Sequence, residues 1–280
     1  MGTSSRPGTT ILHVSDLHFG KPAVLEQIDA VERAMRERHF DVIAISGDFS
    51  QRARAGEFQR AAIFLREARE NGTVIAVPGN HDVAWWYAPL GLGRPERVYE
   101  NYQTYVSPDL EPTLEVPGVF LVGLNTSHGV TRRTLTWNVR DISIIGDLTP
   151  AQINRLRERL SKAPAGDAKI VVMHHNPVAG ELSQRHGLKH TKRILDTFGD
   201  MGVDVVLCGH DHQESVRYIG HTRKGVIVST AGTVSNRSRG GRPSSYNVIT
   251  ITPSAIEVVT RIWSPDANDF VPGPHQCFDR

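Results

Sequence analysis

Only two cysteines occur in the 280 residues, Cys208 inside an apolar run and Cys277 near the end. Two isolated thiols do not make a disulfide framework, and they point to a reducing compartment. No apolar stretch approaches the roughly 20 residues of a membrane span, and Met1 to Thr10 is small and polar, without the hydrophobic core of a signal sequence. Arg6 stands where a myristoylation pattern starting at Met1-Gly2 requires Ser or Thr. Neither sign of charge prevails: 32 basic against 30 acidic residues leave +2, so there is no global electrostatic draw toward nucleic acid. Internal repeats and low-complexity linkers are absent as well. What remains is a soluble, cytoplasmic protein of a length that fits one large α/β domain.

Against these absences, five short polar segments stand out. They are Asp16-Leu17-His18, Gly47-Asp48, Gly79-Asn80-His81-Asp82, His174-His175 and Gly209-His210-Asp211-His212. Each follows a short apolar, β-branched run: Ile11–Val14, Val42–Ile45, Val74–Val77, Ile170–Met173 and Val203–Leu207. Such runs read as strands buried on both faces. Their polar ends therefore gather at the carboxyl edge of neighbouring strands, where α/β sheets place ligands. A lone Gly-Asp or Asp-x-His is usually a turn or a cap; five in this order are not. The donors are Asp, His and Asn, with no Cys, which suits Mn²⁺, Fe²⁺/Fe³⁺, Zn²⁺ or Co²⁺ better than an all-oxygen calcium cage or a thiolate zinc site. Strand residues two apart share a face, so Asp16 with His18, and His210 with His212, are expected to point the same way. By the same pleat Asp211 points away, toward a solvated or hydrogen-bonded role.

In these segments the chain resembles the calcineurin-like metallophosphoesterases, from about residue 10 to residue 260. The resemblance implies a four-layer α/β/β/α sandwich of two mixed sheets flanked by helices, with a domain over residues 10–262 and a surface tail over 263–280. It implies two divalent metal ions, one held by Asp16, His18 and His212, the other by Asn80, His174 and His210. Asp48 bridges them, since cations about 3.5–4 Å apart need a shared carboxylate. A hydroxide between the metals would then attack a phosphoester. His81 would protonate the leaving oxygen or stabilise the transition state, with Asp82 orienting its ring; Asp82 also suits a cap of the next turn. His174 is placed at the metals, leaving His175 behind them or facing substrate. Gln51 stands where a purple acid phosphatase carries Tyr, and the Asp-Arg-Gly and Gly-Asn-His-Glu elements of Ser/Thr phosphatases are missing. Lipid A pathway UDP-diacylglucosamine hydrolases typically carry Arg where this chain has His81. The pattern is thus similar to the bacterial phosphodiesterase branch, which includes class III cyclic nucleotide phosphodiesterases and glycerophosphodiesterases, although Asn176 departs from its usual His-His-Pro-Pro. The implied activity is hydrolysis of a small phosphodiester. A nuclease, a phosphomonoesterase or pyrophosphatase, and a metal-free scaffold are the alternatives; nucleic acid is disfavoured by the neutral charge, and the oligomeric state, a homodimer included, stays open.

Elsewhere the pattern predicts helices over Pro22–Arg38, Gly56–Asn71 (stopped by Gly72), Thr149–Leu160 with Thr149 as N-cap, and Thr191–Met201. Further strands are expected at Val119–Leu124, Gly225–Ser229, Ser245–Thr252 and Ile256–Ile262. Residues 83–97, with Trp85, Trp86 and Tyr87, form either a wall of the substrate site or a hydrophobic plug. The stretch Ser235–Arg242 is a glycine-rich hairpin loop, or it supplies a phosphate-binding arginine, Arg237 or Arg239. His128, His186, His190 and His221 read as surface or hydrogen-bonded histidines.

Overall fold

The computed structural model describes residues 8–134, 144–184, 187–220 and 225–280. In chain order the strands are β1 (Thr9–Val14), β2 (Val42–Ile45), β3 (Thr73–Ala76), β4 (Thr113–Val116), β5 (Val119–Leu124), β6 (Ala168–His175), β7 (Val205–Gly209), β8 (Ser215–Ile219), β9 (Val226–Thr230), β10 (Ser245–Ile251), β11 (Ala255–Ser264) and β12 (Asp269–Asp279). The helices are α1 (Leu25–Glu37), α2 (Ala55–Asn71), α3 (Glu100–Tyr105), α4 (Pro150–Leu160) and α5 (Thr191–Asp200). The strands form two mixed six-stranded sheets, ordered β12-β11-β10-β1-β2-β3 and β4-β5-β6-β7-β9-β8.

Alternation along the central strands explains the layering. Ile11, Val42, Ala44 and Ile75 of the first sheet meet Leu121, Ile170, Val172, Val205 and Leu207 of the second in one core. Their neighbours point outward: Leu12, Ile43 and Ile45 pack on Ile28 and Val31 of α1 and on Phe58 and Leu65 of α2. On the opposite side Val122, Val171, Met173 and Val206 pack on Leu156 of α4 and on Ile194 and Phe198 of α5. Both faces of each sheet are therefore covered, giving the expected α/β/β/α sandwich. Each such side chain taken fully out of water contributes about 1.5–3 kcal/mol.

Three local expectations change. The residues expected as a tail, 263–280, finish β11 and form β12, which pairs antiparallel with β11 across a bulge between Val259 and Arg261. Pro272 and Pro274 suggested a tail, but an edge strand tolerates proline because one side of its ladder faces no partner. Helix α1 starts at Leu25, not Pro22, because the Pro22 carbonyl accepts from Asn236 N–H and Ala23 bridges to Ser235. Gly72 does end α2, yet its φ of 173° is ordinary extended backbone; glycine is required because a Cβ there would lie 2.6 Å from the Phe40 carbonyl oxygen. The α4 cap matches expectation: the Thr149 hydroxyl accepts from Gln152 N–H at 3.2 Å, and the Gln152 side chain accepts from Thr149 N–H at 2.9 Å.

Candidate metal centre

Strands β1, β2, β3, β6 and β7 end at one edge of the sandwich, and the five polar segments meet there. The backbone that brings them together is not the expected one. β1 stops at Val14, and Asp16 and His18 follow it with φ of 55° and 46°; His210 and His212 have 73° and 55°, and Asp48 has 55°. Left-handed backbone, not strand pleat, aims these side chains. Such φ is uncommon outside glycine and is retained where surrounding bonds fix it. Here Asp16 N–H donates to the Gly47 carbonyl at 3.1 Å, His18 N–H to the Asp48 carbonyl at 2.9 Å, and the Thr233 hydroxyl to the Asp16 carbonyl at 2.6 Å. Gly79 has to be glycine for another reason: a Cβ on it would lie 2.1 Å from Asp48 Oδ1.

Two groups of donor atoms result, and they share one carboxylate. In the first, His212 Nε2 lies 3.0 Å from Asp16 Oδ1 and 3.1 Å from His18 Nε2, which is 3.7 Å from Asp48 Oδ2. In the second, His174 Nε2 lies 3.4 Å from that same Asp48 Oδ2, 3.1 Å from Asn80 Oδ1 and 3.3 Å from His210 Nδ1. Asn80 Oδ1 and His210 Nδ1 are 3.0 Å apart. All seven residues proposed as ligands from sequence are thus brought together.

The donor chemistry fits cations. His174 Nδ1 donates to the Ser46 carbonyl at 2.8 Å and His212 Nδ1 to the Arg237 carbonyl at 3.0 Å, which turns each Nε2 inward as an acceptor. Asp16 Oδ1 is buried with no hydrogen-bond partner among the described residues. Electrostatics agree. Burial would raise the Asp16 and Asp48 carboxyls, but the surrounding imidazoles, His212 for Asp16 and His174 for Asp48, hold both below the ordinary carboxylate range. Burial alone would lower His174, but the charge of Asp48 and its hydrogen bond raise it to about 9. Burial lowers His210 to about 3, with His174 adding to the effect. Positive charge is thus favoured beside Asp48, a demand that a divalent cation meets.

The remaining candidates fall out differently. His175 does not face a substrate: it is 0% exposed, its Nε2 donates to the Ile144 carbonyl at 2.8 Å, and its Nδ1 accepts from the Thr126 hydroxyl at 2.8 Å. Asp82 does not orient the His81 ring. Its carboxylate accepts from Phe49, Ser50 and Gly79 N–H groups at 3.1, 2.8 and 2.9 Å and from the Ser50 hydroxyl at 3.0 Å. Burial, with Asp48 adding its charge, pushes that carboxyl up to about 7. His81 is held instead by the Gln51 carbonyl, 2.8 Å from its Nδ1, while its Nε2 lies 3.1 Å from Arg237 Nη1. Arg237 therefore reaches the centre, whereas Arg239 is exposed and lies 3.9 Å from the buried Asp211. Within 83–97, Val83 and Ala88 are buried against Trp85, and Trp86, Leu90 and Leu92 are exposed. His128 is half-buried and His190 is exposed before α5; His186 and His221 lie outside the described residues.

Sequence reasoning missed Gln51, and it missed the carbonyls of Ser46 and Arg237, which no side-chain pattern reports. The only signal for Gln51 was its departure from tyrosine at that position.

A family model described as calcineurin-like phosphoesterase matches residues 9–214. No curated protein matches by sequence. Among solved structures, the chain is similar to a purple acid phosphatase, PPD1, from seeds of yellow lupin (Lupinus luteus), at 11% identity and a TM-score of 0.71, covering 98% of this chain and 54% of that one. It is also similar to PhoD, at 12% identity and 0.67, covering 100% and 71%. A third is GAP50, the anchor in the inner membrane complex of Plasmodium, at 14% identity and 0.59, covering 98% and 89%. The chain thus spans about half the length of the purple acid phosphatase. At these identities the likeness is one of fold. Among the described residues, no helix is long and apolar enough to cross a membrane.

Proposed function

Because the chain belongs to the calcineurin-like phosphoesterase family, we propose that it is a metal-dependent hydrolase of phosphodiester bonds in a small substrate, of the bacterial phosphodiesterase branch and acting in the cytoplasm. Fold alone carries no activity, since an anchor protein shares it. One observation carries the reading: two groups of inward-facing donors share Asp48 Oδ2, the arrangement a two-metal site needs. Asp16, His18 and His212 would hold one cation and Asn80, His174 and His210 the other, with Asp48 between them. When bound, such a pair supplies Lewis acidity to the phosphoryl group and makes an attacking water acidic.

The chain's own groups do the rest. The Ser46 and Arg237 carbonyls keep the His174 and His212 rings aimed at the centre. Arg237, partly exposed beside His81, offers N–H donors to a phosphoryl oxygen. His81 keeps its Nδ1 proton on the Gln51 carbonyl; once the Arg237 guanidinium has turned from Nε2 onto the phosphate, Nε2 takes a proton from solvent and passes it to the leaving oxygen.

A substrate panel with added Mn²⁺ tests the reading. Bis-p-nitrophenyl phosphate is expected to be cleaved faster than p-nitrophenyl phosphate, and cyclic AMP or a glycerophosphodiester faster than single-stranded DNA. Preference for the monoester points to a phosphatase, preference for DNA to a nuclease, and no hydrolysis with both metals bound overturns the enzyme reading.

A further inference from the structure

Gln51 has so far no part beyond its carbonyl, yet its side chain closes a reciprocal clasp over the metal centre. The Gln51 carbonyl accepts from His81 Nδ1 at 2.8 Å, and its side-chain Oε1 accepts from Arg237 Nη1 at 3.0 Å. The Arg237 carbonyl accepts from His212 Nδ1 at 3.0 Å, and its Nη1 also meets His81 Nε2 at 3.1 Å. Each residue thus fixes one imidazole with its main chain and binds the other residue with its side chain. The main chains are bonded independently of the two side chains: Gln51 N–H donates to the Phe19 carbonyl at 3.2 Å, Arg237 N–H to the Ser235 hydroxyl at 3.3 Å, and the preceding Asn236 N–H to the Pro22 carbonyl at 2.9 Å. A change in either side chain therefore leaves both carbonyls in place.

Resting on the phosphoesterase reading, we infer that Gln51 is the positioning residue for Arg237, keeping its guanidinium poised to receive a non-bridging oxygen of the substrate's phosphoryl group. Three features argue for this. Arginine is long and rich in rotamers, so an untethered one would have to be ordered on binding. Among the described residues only Nη1 of the guanidinium is engaged in hydrogen bonds, which leaves the Nε and Nη2 donors for phosphate, whose geometry the planar fork matches. The tether is a neutral amide: it orients the cation without cancelling its charge, as a carboxylate at the same place would.

The test uses the full-length chain loaded with Mn²⁺, measuring KM and kcat on bis-p-nitrophenyl phosphate, the affinity for inorganic phosphate by calorimetry, and metal content. Arg237→Ala is expected to weaken phosphate and raise KM about a hundredfold, the scale of a lost charge-assisted contact. Gln51→Met, equal in length but without the acceptor, is expected to weaken both about tenfold with kcat and metal content unchanged, and Gln51→Ala to match it. Gln51→Glu restores the acceptor and the tether but cancels charge, so phosphate binding falls while Arg237 stays ordered. In the Gln51→Met/Arg237→Ala double variant the Gln51 effect should vanish, because the residue acts through Arg237. A Gln51→Met protein with wild-type phosphate affinity overturns the inference, and so does a tenfold effect that persists without Arg237. If the wild type neither hydrolyses the diester nor binds phosphate, the phosphoesterase reading falls, and this inference with it; the wild-type arm alone identifies that case.

Discussion

Asp16, His18 and His174 are 0% exposed and Asp48 1%, and each is tied through its main chain or ring to a neighbouring loop. A few ångströms away, His81, Gln51 and Arg237 are only partly buried and hold one another through single hydrogen bonds. The floor of the centre is held by protein bonds, with left-handed backbone at five ligand positions. The rim is held loosely enough for a substrate oxygen to exchange for a side-chain partner. Metal affinity should therefore depend on the floor, and discrimination among esters on the rim.

The largest expected effect would break the floor. Asp48→Ala removes the one oxygen that both groups of donors approach, so metal analysis should find both positions depleted and turnover should fall below that of any rim variant. A variant that keeps two tightly held metals would refute the shared-carboxylate assignment. Next comes a contrast between adjacent residues. His174→Ala should empty one metal position. His175→Ala should keep both metals and instead cost about 3 kcal/mol of stability, from the cavity and the unpaired Thr126 and Ile144 groups it leaves. Metal loss in the His175 variant with retention in the His174 variant would reverse the assignment.

The floor was legible in the sequence because its ligands follow apolar, β-branched runs: the interior strands β1, β2, β6 and β7, and the edge strand β3, whose last residues are buried. The strands that were missed, β4, β8 and β12, all lie at sheet edges, where one flank meets no partner strand and alternation is diluted by polar residues and proline. The pairing of Asp16 with His18 was legible while its cause was not, since period-two reasoning assumes extended backbone and these residues have φ of 55° and 46°. The rim was legible only in part. His81 and Arg237 stand out as candidates, but Gln51 holds His81 through a carbonyl that every residue possesses and meets Arg237 from far along the chain. Asp82 bonds to main-chain N–H groups, so no spacing of side chains announces Gln51 or the role of Asp82.

A smaller effect probes the rim. His81→Ala should leave both metals bound and slow esters with basic alkoxide leaving groups by about 10²–10⁴-fold, the usual range for general acid catalysis. Esters of nitrophenol leave with little need of a proton and should lose less. Rates on the two ester classes, taken alongside metal content, check this. Equal losses would make His81 an electrostatic partner of Arg237 rather than a proton donor.

Asp82→Asn is expected to have the smallest effect on chemistry, and it decides to which region Asp82 belongs. An aspartate next to a catalytic histidine suggests an orienting role, in which case the asparagine variant would be a mild copy of His81→Ala, with a loss that depends on the leaving group. Its carboxylate, however, spans the loops after β2 and β3, taking N–H groups of Phe49, Ser50 and Gly79 together with the Ser50 hydroxyl. Asparagine keeps one of the two acceptor oxygens and points an NH₂ group at donors, leaving buried N–H groups unpaired at a cost of about 1–3 kcal/mol. Denaturant midpoints should therefore fall, and any loss of rate should be the same for alkoxide and nitrophenolate esters, because the loosened loops carry the ligands Asp48 and Asn80 as well as His81, whose ring keeps its own bond to the Gln51 carbonyl. A leaving-group-dependent loss at unchanged stability would return Asp82 to the rim.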